Sequence, residues 1–85
     1  MDKPVRLSAH ALQNLCYRGA TEQEVLETIR SAEWKLAELG RAECRKNFSY
    51  DREWNGKFYP WKQVRPIFVE ETHEIVVITV YVYYF

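Results

Sequence analysis

Histidine is the residue type best suited to move a proton near neutral pH, and His10 is the first candidate for that role. A helical wheel centred on Leu12 places His10 away from the apolar stripe, in line with Asn14 and Tyr17. A lone histidine near a helix N-terminus is also common as a plain surface residue. The sequence therefore leaves a proton-transfer role and a solvated surface position both open.

Basic residues are concentrated in the middle of the chain, although the formal charge of the 85 residues is zero. Residues 41–65 carry seven bases against three acids. If the Asn-Gly pair forms a two-residue turn, Lys46 falls opposite Arg65, whereas a one-residue bulge brings Arg45 beside it. Neighbouring cations favour a shared anion, which is either a bound phosphate or the carboxylate of Glu43.

Aromatic side chains alternate with these cations. Tyr81 and Tyr83 share one side of the last predicted strand with Thr79, and more aromatic residues lie in the preceding hairpin. Aromatic faces beside arginine and lysine suit unpaired nucleobases, because every base has a π-face that can stack. The same residue types also fill small cores and cross-strand pairs, which is the alternative interpretation.

Metal and thiol chemistry have little support in the sequence. Neither predicted helix contains a His-x-x-x-His or Glu-x-x-His pair, so no metal site is predicted. Cys16 is placed on the apolar stripe of the first helix and Cys44 on the inward side of a strand, so neither is expected to be an exposed nucleophile. The isolated glycines form no phosphate-binding loop, and no cofactor is expected.

The length and the capping signals predict one small domain over residues 1–85, since a second core would bury too little apolar surface. An N-cap serine and a following glycine bound a helix over Ala9 to Arg18. A Thr-x-x-Glu capping box starts a second helix over Glu22 to Ser31. Two cysteines without CxxC spacing and a start without an apolar run predict a cytoplasmic protein.

After the helices the apolar pattern changes to a period of two, which is typical of strands. The Asn-Gly pair predicts a type I′ hairpin turn, and Pro60 and Pro66 predict bulges or an edge. In the last strand, the aliphatic side chains at 76, 78, 80 and 82 are expected beneath the helices. The predicted fold is α+β, with two helices on one face of a twisted antiparallel sheet of three to four strands.

The order of several short motifs resembles domain-of-unknown-function family 4258. The motifs are Ser-Ala-His-Ala-Leu at 8–12, Arg-Gly-Ala-Thr at 18–21, a basic strand, and Val-Ile-Thr-Val-Tyr at 77–81. The likeness covers nearly the whole chain. That family is similar to the fold group of RelE-type toxins, barnase-like nucleases and colicin ribonucleases. The resemblance implies a RelE-like fold and RNA cleavage, or descent from an enzyme that cleaves RNA.

Such enzymes need no metal, because a base deprotonates the ribose 2′-hydroxyl, cations stabilise the pentacovalent phosphate and an acid protonates the leaving oxygen. The resemblance implies that His10 transfers the proton and that Arg45 and Arg65 hold the phosphate. Thr79 and Tyr81 would position the substrate or donate a proton. The residues expected to contact RNA around this set are Tyr17, Arg18, Lys46, Lys62 and Tyr83.

A second class of function stays open. The apolar last strand and the Trp-rich hairpin would, in this alternative, form the surface of a non-catalytic RNA-binding or protein-interaction module. The expected partners are RNA, free or bound to the ribosome, an antitoxin protein, or a second copy of the chain. No membrane partner is expected, because the last apolar run is about half as long as a membrane helix.

Overall fold

The computed structural model describes residues 3–85, which form two helices and one mixed sheet of six strands. In chain order the elements are β1 (Val5–Leu7), α1 (Ala9–Arg18), α2 (Glu22–Ser31), β2 (Lys35–Leu36), β3 (Ala42–Glu43), β4 (Lys46–Trp54), β5 (Lys57–Glu70) and β6 (Ile75–Tyr84). The strand order is β1-β6-β5-β3-β2, and β4 also pairs with β5.

The predicted α+β class is confirmed, but the sheet has more strands than predicted. The described residues contain six strands rather than three to four, and the sheet is mixed because β1 runs parallel to β6. Three of the strands are two or three residues long, which is too short for a period of two to be recognised. A RelE-like arrangement stays a prediction.

Both helices begin and end where their caps predict. The Ser8 hydroxyl accepts the N–H of Ala11 at the start of α1, and Gly19 ends that helix with a left-handed φ of 77°. Thr21 and Glu24 form the reciprocal capping box of α2. These bonds are local in sequence, which is why the helix bounds are predictable.

The core lies between the two helices and one face of the sheet. Ala11 of α1 and Val25 of α2 are fully buried against Val64, Phe68 and Val77 of β5 and β6. Cys44 lies in the same core, where burial raises the pKa of its thiol to about 11. Because both α-helices pack on one side, neither covers the other side of the sheet.

The rotation of α1 differs from the predicted wheel. Ala11 and Leu15 face the core, whereas Leu12 and Cys16 are exposed. Asn14, which was expected on the outer side, is only 6% exposed. The wheel is wrong because it assigned the buried stripe by hydrophobicity, while Asn14 is buried through hydrogen bonds to β6.

Side chains of α1 complete the outer edge of β6. Strand β1 covers only Ile75–Val77 of this edge. Beyond it, the Asn14 carbonyl oxygen accepts the N–H of Val80 at 3.0 Å and the hydroxyl of Thr79 at 2.5 Å. Arg18 donates from Nη1 to the Val80 carbonyl at 2.8 Å. The helix thereby replaces a missing strand and satisfies buried backbone groups.

A bulge in β6 changes which of its side chains face the helices. Ile67 pairs with Thr79 but Phe68 pairs with Val77, so Ile78 is the extra residue. The prediction is confirmed for Val80, which is fully buried, and wrong for residues 76 and 78, since Ile75 and Val77 occupy the core instead. The bulge follows Pro66, as the proline pattern predicts.

The β4–β5 hairpin has the predicted turn and one predicted bulge. Asn55 and Gly56 both have positive φ, and Trp54 pairs with Lys57 across a two-residue turn. A register shift between Ser49 and Arg52 lies opposite the proline at position 60. The shift pairs Lys46 with Val64 instead of Arg65, so the register is the one expected for a hairpin with a one-residue bulge.

An aromatic cluster attaches the hairpin to the turn between the helices. Tyr84 stacks on Trp54 with centroids 4.8 Å apart and lies near Tyr50 and Tyr59. The Tyr84 hydroxyl donates to the Arg18 carbonyl at 2.6 Å, and burial raises its pKa to about 12. The rings approach so closely that a Cβ at position 19 would lie 2.6 Å from Trp54, which requires glycine there.

We expect Asn14→Ala to lower the free energy of unfolding by about 1–3 kcal/mol, because the buried N–H of Val80 loses its acceptor. Urea denaturation followed by circular dichroism measures the change. Gln13→Ala, at an exposed position of the same helix, is the control and should shift stability by less than about 0.5 kcal/mol. Equal effects of the two substitutions would contradict the role assigned to Asn14.

Candidate functional site

The side of the sheet that faces away from α1 and α2, called the open face below, brings several of the predicted site residues together. Arg65 pairs with Tyr81 and Ile67 with Thr79 across β5 and β6, so these side chains lie on one face. Together with Glu43 they line a concavity of about 580 Å³. Much of the rest of its lining comes from the end of β2 and the segment after it, which contains the short 3₁₀ helix Glu38–Gly40; these lining residues are Leu36, Ala37, Glu38, Leu39 and Arg41.

The central contact of this concavity is an ion pair between Glu43 and Arg65. Arg65 donates from Nε to Oε1 of Glu43 at 2.9 Å and from Nη2 to Oε2 at 2.6 Å. This two-point geometry is among the stronger types of charged hydrogen bond in proteins. Arg65 also donates from Nη1 to the Tyr83 hydroxyl at 3.2 Å, and Arg45 lies 3.7 Å from Oε1 of Glu43.

Glu43 is therefore the anion that Arg45 and Arg65 share, which was one of the two alternatives predicted from the sequence. Only 8% of Glu43 is exposed, yet the Arg65 hydrogen bonds hold the pKa of its carboxyl below the usual range. The same bonds raise the pKa of Arg65. The site accordingly contains an ionised carboxylate next to a permanently charged guanidinium.

Two guanidinium groups approach the ring of Tyr81. The central carbon of Arg18 lies 5.0 Å from the ring centroid and that of Arg65 lies 5.3 Å from it. Both distances are within the range of cation–π attraction. Arg18 comes from α1 and reaches the sheet because it also bonds the carbonyl of Val80. The ring is thus held at the edge of the concavity by cations from two elements.

Thr79 lies in the concavity, but its hydroxyl donates to Asn14. The Thr79 hydroxyl therefore helps to hold α1 against β6.

Tyr17 is 79% exposed on α1. Arg45, Arg65, Thr79 and Tyr81 are the predicted catalytic residues that the structure brings together.

His10 is exposed on α1 and is not among the residues that line the concavity. Its side chain makes no hydrogen bond or ion pair to any other residue in the range 3–85. His10 is therefore not part of the concavity that Arg65 and Tyr81 line.

Two lysines expected to contact RNA lie on the helix side of the sheet instead. Lys62 is 3% exposed and donates to the Gly19 carbonyl and to Glu24, each at 2.9 Å. Lys46 lies 2.7 Å from Glu27 of α2. Lys62 is consequently a structural cation beneath the helices, which corrects its place in the RNA-binding set. Strand alternation explains the difference, because positions 62 and 65 point to opposite faces.

Glu43 and Asn14 are the residues that reasoning from the sequence undervalued. Glu43 is the acid at the centre of the site, and its position among bases was the available signal. Asn14 gave no comparable signal, since a polar residue in an amphipathic helix usually faces solvent.

No known family model matches the chain, and no curated protein or solved structure is significantly similar to it. The likeness to family 4258 and the RNA cleavage that it implies therefore stay predictions. Among residues 3–85, no group of three His, Cys, Asp or Glu side chains is placed to hold a metal ion. Neither helix of the described chain is long and apolar enough to cross a membrane.

We expect the stability of the protein to fall between about pH 5 and pH 3 partly through protonation of Glu43, whose unfolded pKa is about 4.3. The folded pKa of Glu43 is lower than that, so its contribution is present above the unfolded pKa and is lost as pH falls through the folded pKa. Urea titrations over this range should show a shallower loss for Glu43→Gln than for the wild type.

Glu74→Gln is the matched control, because Glu74 also pairs with an arginine through two hydrogen bonds but is more exposed than Glu43. Solvent screening makes exposed pairs weak contributors, so its pH profile should follow the wild type more closely. Identical slopes for the wild type and Glu43→Gln would contradict the coupling of Glu43 to Arg65.

Proposed function

We propose that the open face binds single-stranded RNA and cleaves it without a metal ion, through attack of a ribose 2′-hydroxyl on the adjacent phosphate. One observation carries the proposal: Glu43, Arg65 and Tyr81 line the same concavity. A carboxylate, a guanidinium and a phenol are a proton acceptor, a phosphate ligand and a proton donor. These are the three roles that the reaction requires.

Glu43 accepts the proton of the 2′-hydroxyl as a weak base, because Arg65 lowers the pKa of its carboxyl, and the 2′-oxygen then forms a bond to phosphorus. Arg65 stabilises the charge that develops on the non-bridging oxygens, for which a planar guanidinium is well suited. The bond from phosphorus to the 5′-oxygen breaks, and the Tyr81 hydroxyl supplies the proton that this oxygen takes up. The products are a 2′,3′-cyclic phosphate and a 5′-hydroxyl end. His10 has no role in this scheme.

The charge balance of the face supports binding of a phosphate. Arg18, Arg45 and Arg65 lie around Tyr81 and Glu43, and the concavity is also lined by Arg41 and Glu38. Cations therefore outnumber acids among these residues. The formal charge of the whole chain is zero, which limits long-range attraction to RNA. Local cations must therefore supply most of the electrostatic affinity, and binding is expected to weaken with salt.

We expect the purified protein to cleave fluorescently labelled single-stranded RNA in the presence of a chelator, leaving 2′,3′-cyclic phosphate ends. Glu43→Gln and Arg65→Gln should each reduce the rate by about 100-fold or more, as loss of an acid–base or charge-stabilising group does. Gel electrophoresis and mass spectrometry of the products measure this. His10→Ala should cleave within about threefold of the wild type, since removing a group outside the reaction leaves the barrier unchanged.

Lys46→Ala is the matched control, because Lys46 is a half-buried cation of the same sheet that faces α2 instead of the concavity. It should retain wild-type cleavage. Circular dichroism confirms that each variant is folded. Cleavage of neither free nor ribosome-bound RNA by folded wild-type protein, or equal rates for wild type and Glu43→Gln, would overturn the proposed reaction.

A second candidate function, a non-catalytic interaction module, is favoured by the free edge of β4. Within the described residues this nine-residue strand pairs only with β5, so its other edge is open to a strand from a partner. Pairing there would leave the open face accessible. In this alternative, the edge would be occupied by a second copy of the chain or by an antitoxin-like protein.

A homodimer through this edge would have twice the monomer mass of 10.2 kDa. Light scattering across the concentrations used for the cleavage assay measures it. We expect the monomer mass, because the bulge at Ser49 to Arg52 and the charges of β4 disfavour strand pairing at an edge. A stable dimer without cleavage would instead support the interaction module.

A further inference from the structure

Four neighbouring aromatic side chains of β5, β6 and the residue that follows β6 are exposed outside the core. Trp61, Tyr81, Tyr83 and Phe85 are between 38% and 50% exposed, whereas Phe68 of β5 is fully buried. Exposed aromatic residues that lie next to one another on a small protein commonly mark a binding surface. Only Tyr81 is used by the proposed reaction, so the other three have no role there.

The strand register places these aromatic residues on one face, in a row that continues from the concavity. Trp61 and Phe85 exchange backbone hydrogen bonds of 2.9 and 3.1 Å and are therefore directly opposite each other. Tyr83 is the next residue on that face of β6, followed by Tyr81 opposite Arg65. Successive residues on one face are about 7 Å apart, so the row extends about 13 Å from Tyr81.

Polar groups lie beside the row. The Gln63 side chain, opposite Tyr83, donates to the Asn47 carbonyl oxygen at 3.0 Å. Arg65 orients the Tyr83 hydroxyl from the side of the concavity. The surface therefore offers stacking rings, amide groups that can bond base edges, and a guanidinium at one end. This combination matches the composition of single-strand nucleic acid sites.

A second copy of the chain fits this surface less well. Packing two open faces about a two-fold axis that passes through the concavity would bring Arg45 and Arg65 of one copy close to the same cations of the other. Like charges brought together in a desolvated interface are strongly unfavourable. A polyanion with apolar planar bases satisfies both the cations and the rings.

We propose that Trp61, Tyr83 and Phe85 form a stacking platform for unpaired bases of an RNA strand whose phosphate lies at Arg65. This rests on the proposed function for the position of the phosphate. The platform gives the physical reason for a single-stranded substrate, because the bases of a duplex are stacked on each other and cannot lie on the rings. The bases on the platform are those adjoining the cleaved bond on one side.

Binding to RNA that cannot be cleaved separates the platform from the reaction. The probe is a fluorescein-labelled single-stranded RNA nonamer with a methyl group on every 2′-oxygen, and fluorescence anisotropy measures its affinity. We expect the single strand to bind at least about tenfold more tightly than the same sequence in a duplex. Trp61→Ala and Phe85→Ala should each weaken binding by about tenfold, the effect typical of losing one stacked base.

Phe58→Ala is the matched control, since Phe58 is an exposed aromatic residue of β5 near the hairpin turn, beyond the row. It should bind like the wild type. Trp61→Phe keeps a ring and should recover most of the affinity, which tests stacking separately from folding. Equal binding of duplex and single strand, or wild-type affinity of Trp61→Ala and Phe85→Ala, would overturn the platform.

The two proposals fail in different ways. Weaker binding by Trp61→Ala in a protein that does not cleave RNA would support the platform and refute the reaction. Cleavage by a protein in which Trp61→Ala binds normally would refute the platform and leave the reaction standing. A wild-type dimer that Trp61→Ala converts to a monomer would show that the aromatic row is a protein interface, and would overturn the platform.

Discussion

The ion pair between Glu43 and Arg65 is the contact on which the open face depends. A carboxylate that is 8% exposed is stable as an anion only when hydrogen bonds replace its lost solvation, and Arg65 supplies two of them. The same guanidinium bonds Tyr83 and lies beside the ring of Tyr81. One structural requirement, neutralising a buried acid, therefore also positions the charged and aromatic groups of the site.

The helices leave this face free because their own packing requirements are met on the other side. Both apolar stripes meet in one core over β5 and β6. Polar residues of α1 also contact the sheet, since Asn14 and Arg18 form hydrogen bonds with the backbone of Val80. Arg18 thereby reaches Tyr81 from the edge of the sheet. The helix that stabilises the strand also contributes a cation to the face that we assign to RNA.

Local signals in the sequence were enough for the parts of the fold that local hydrogen bonds define. The caps at Ser8 and Gly19 and the turn at Asn55 belong to this class. Contacts between distant residues were not predictable in the same way. The parallel pairing of β1 with β6 joins residues about 70 positions apart. The proline at position 66 indicated a bulge nearby, but no residue type in β6 indicated that Ile78 is the extra residue.

The same distinction holds for the site. Thr79 and Tyr81 were placed together correctly because they alternate on one strand after the bulge. Lys62 was expected beside Arg65 only because both side chains are cations. The structure places the two on opposite faces of β5, because a shift of one residue along a strand moves a side chain from the open face to the helix side. Glu43 could be recognised as an anion among bases, but its bond to Arg65 became evident only from the register.

The central claim is that Arg65 binds phosphate on the open face, and side-chain nuclear magnetic resonance tests it most directly. Arg6 is the internal reference, because it also pairs with a glutamate, Glu74, through two hydrogen bonds. Titration with a ribonucleoside 3′-monophosphate should shift the Nε–Hε signal of Arg65 and leave that of Arg6 unchanged. Equal shifts of both signals, or no shift of Arg65 at saturating ligand, would contradict the account.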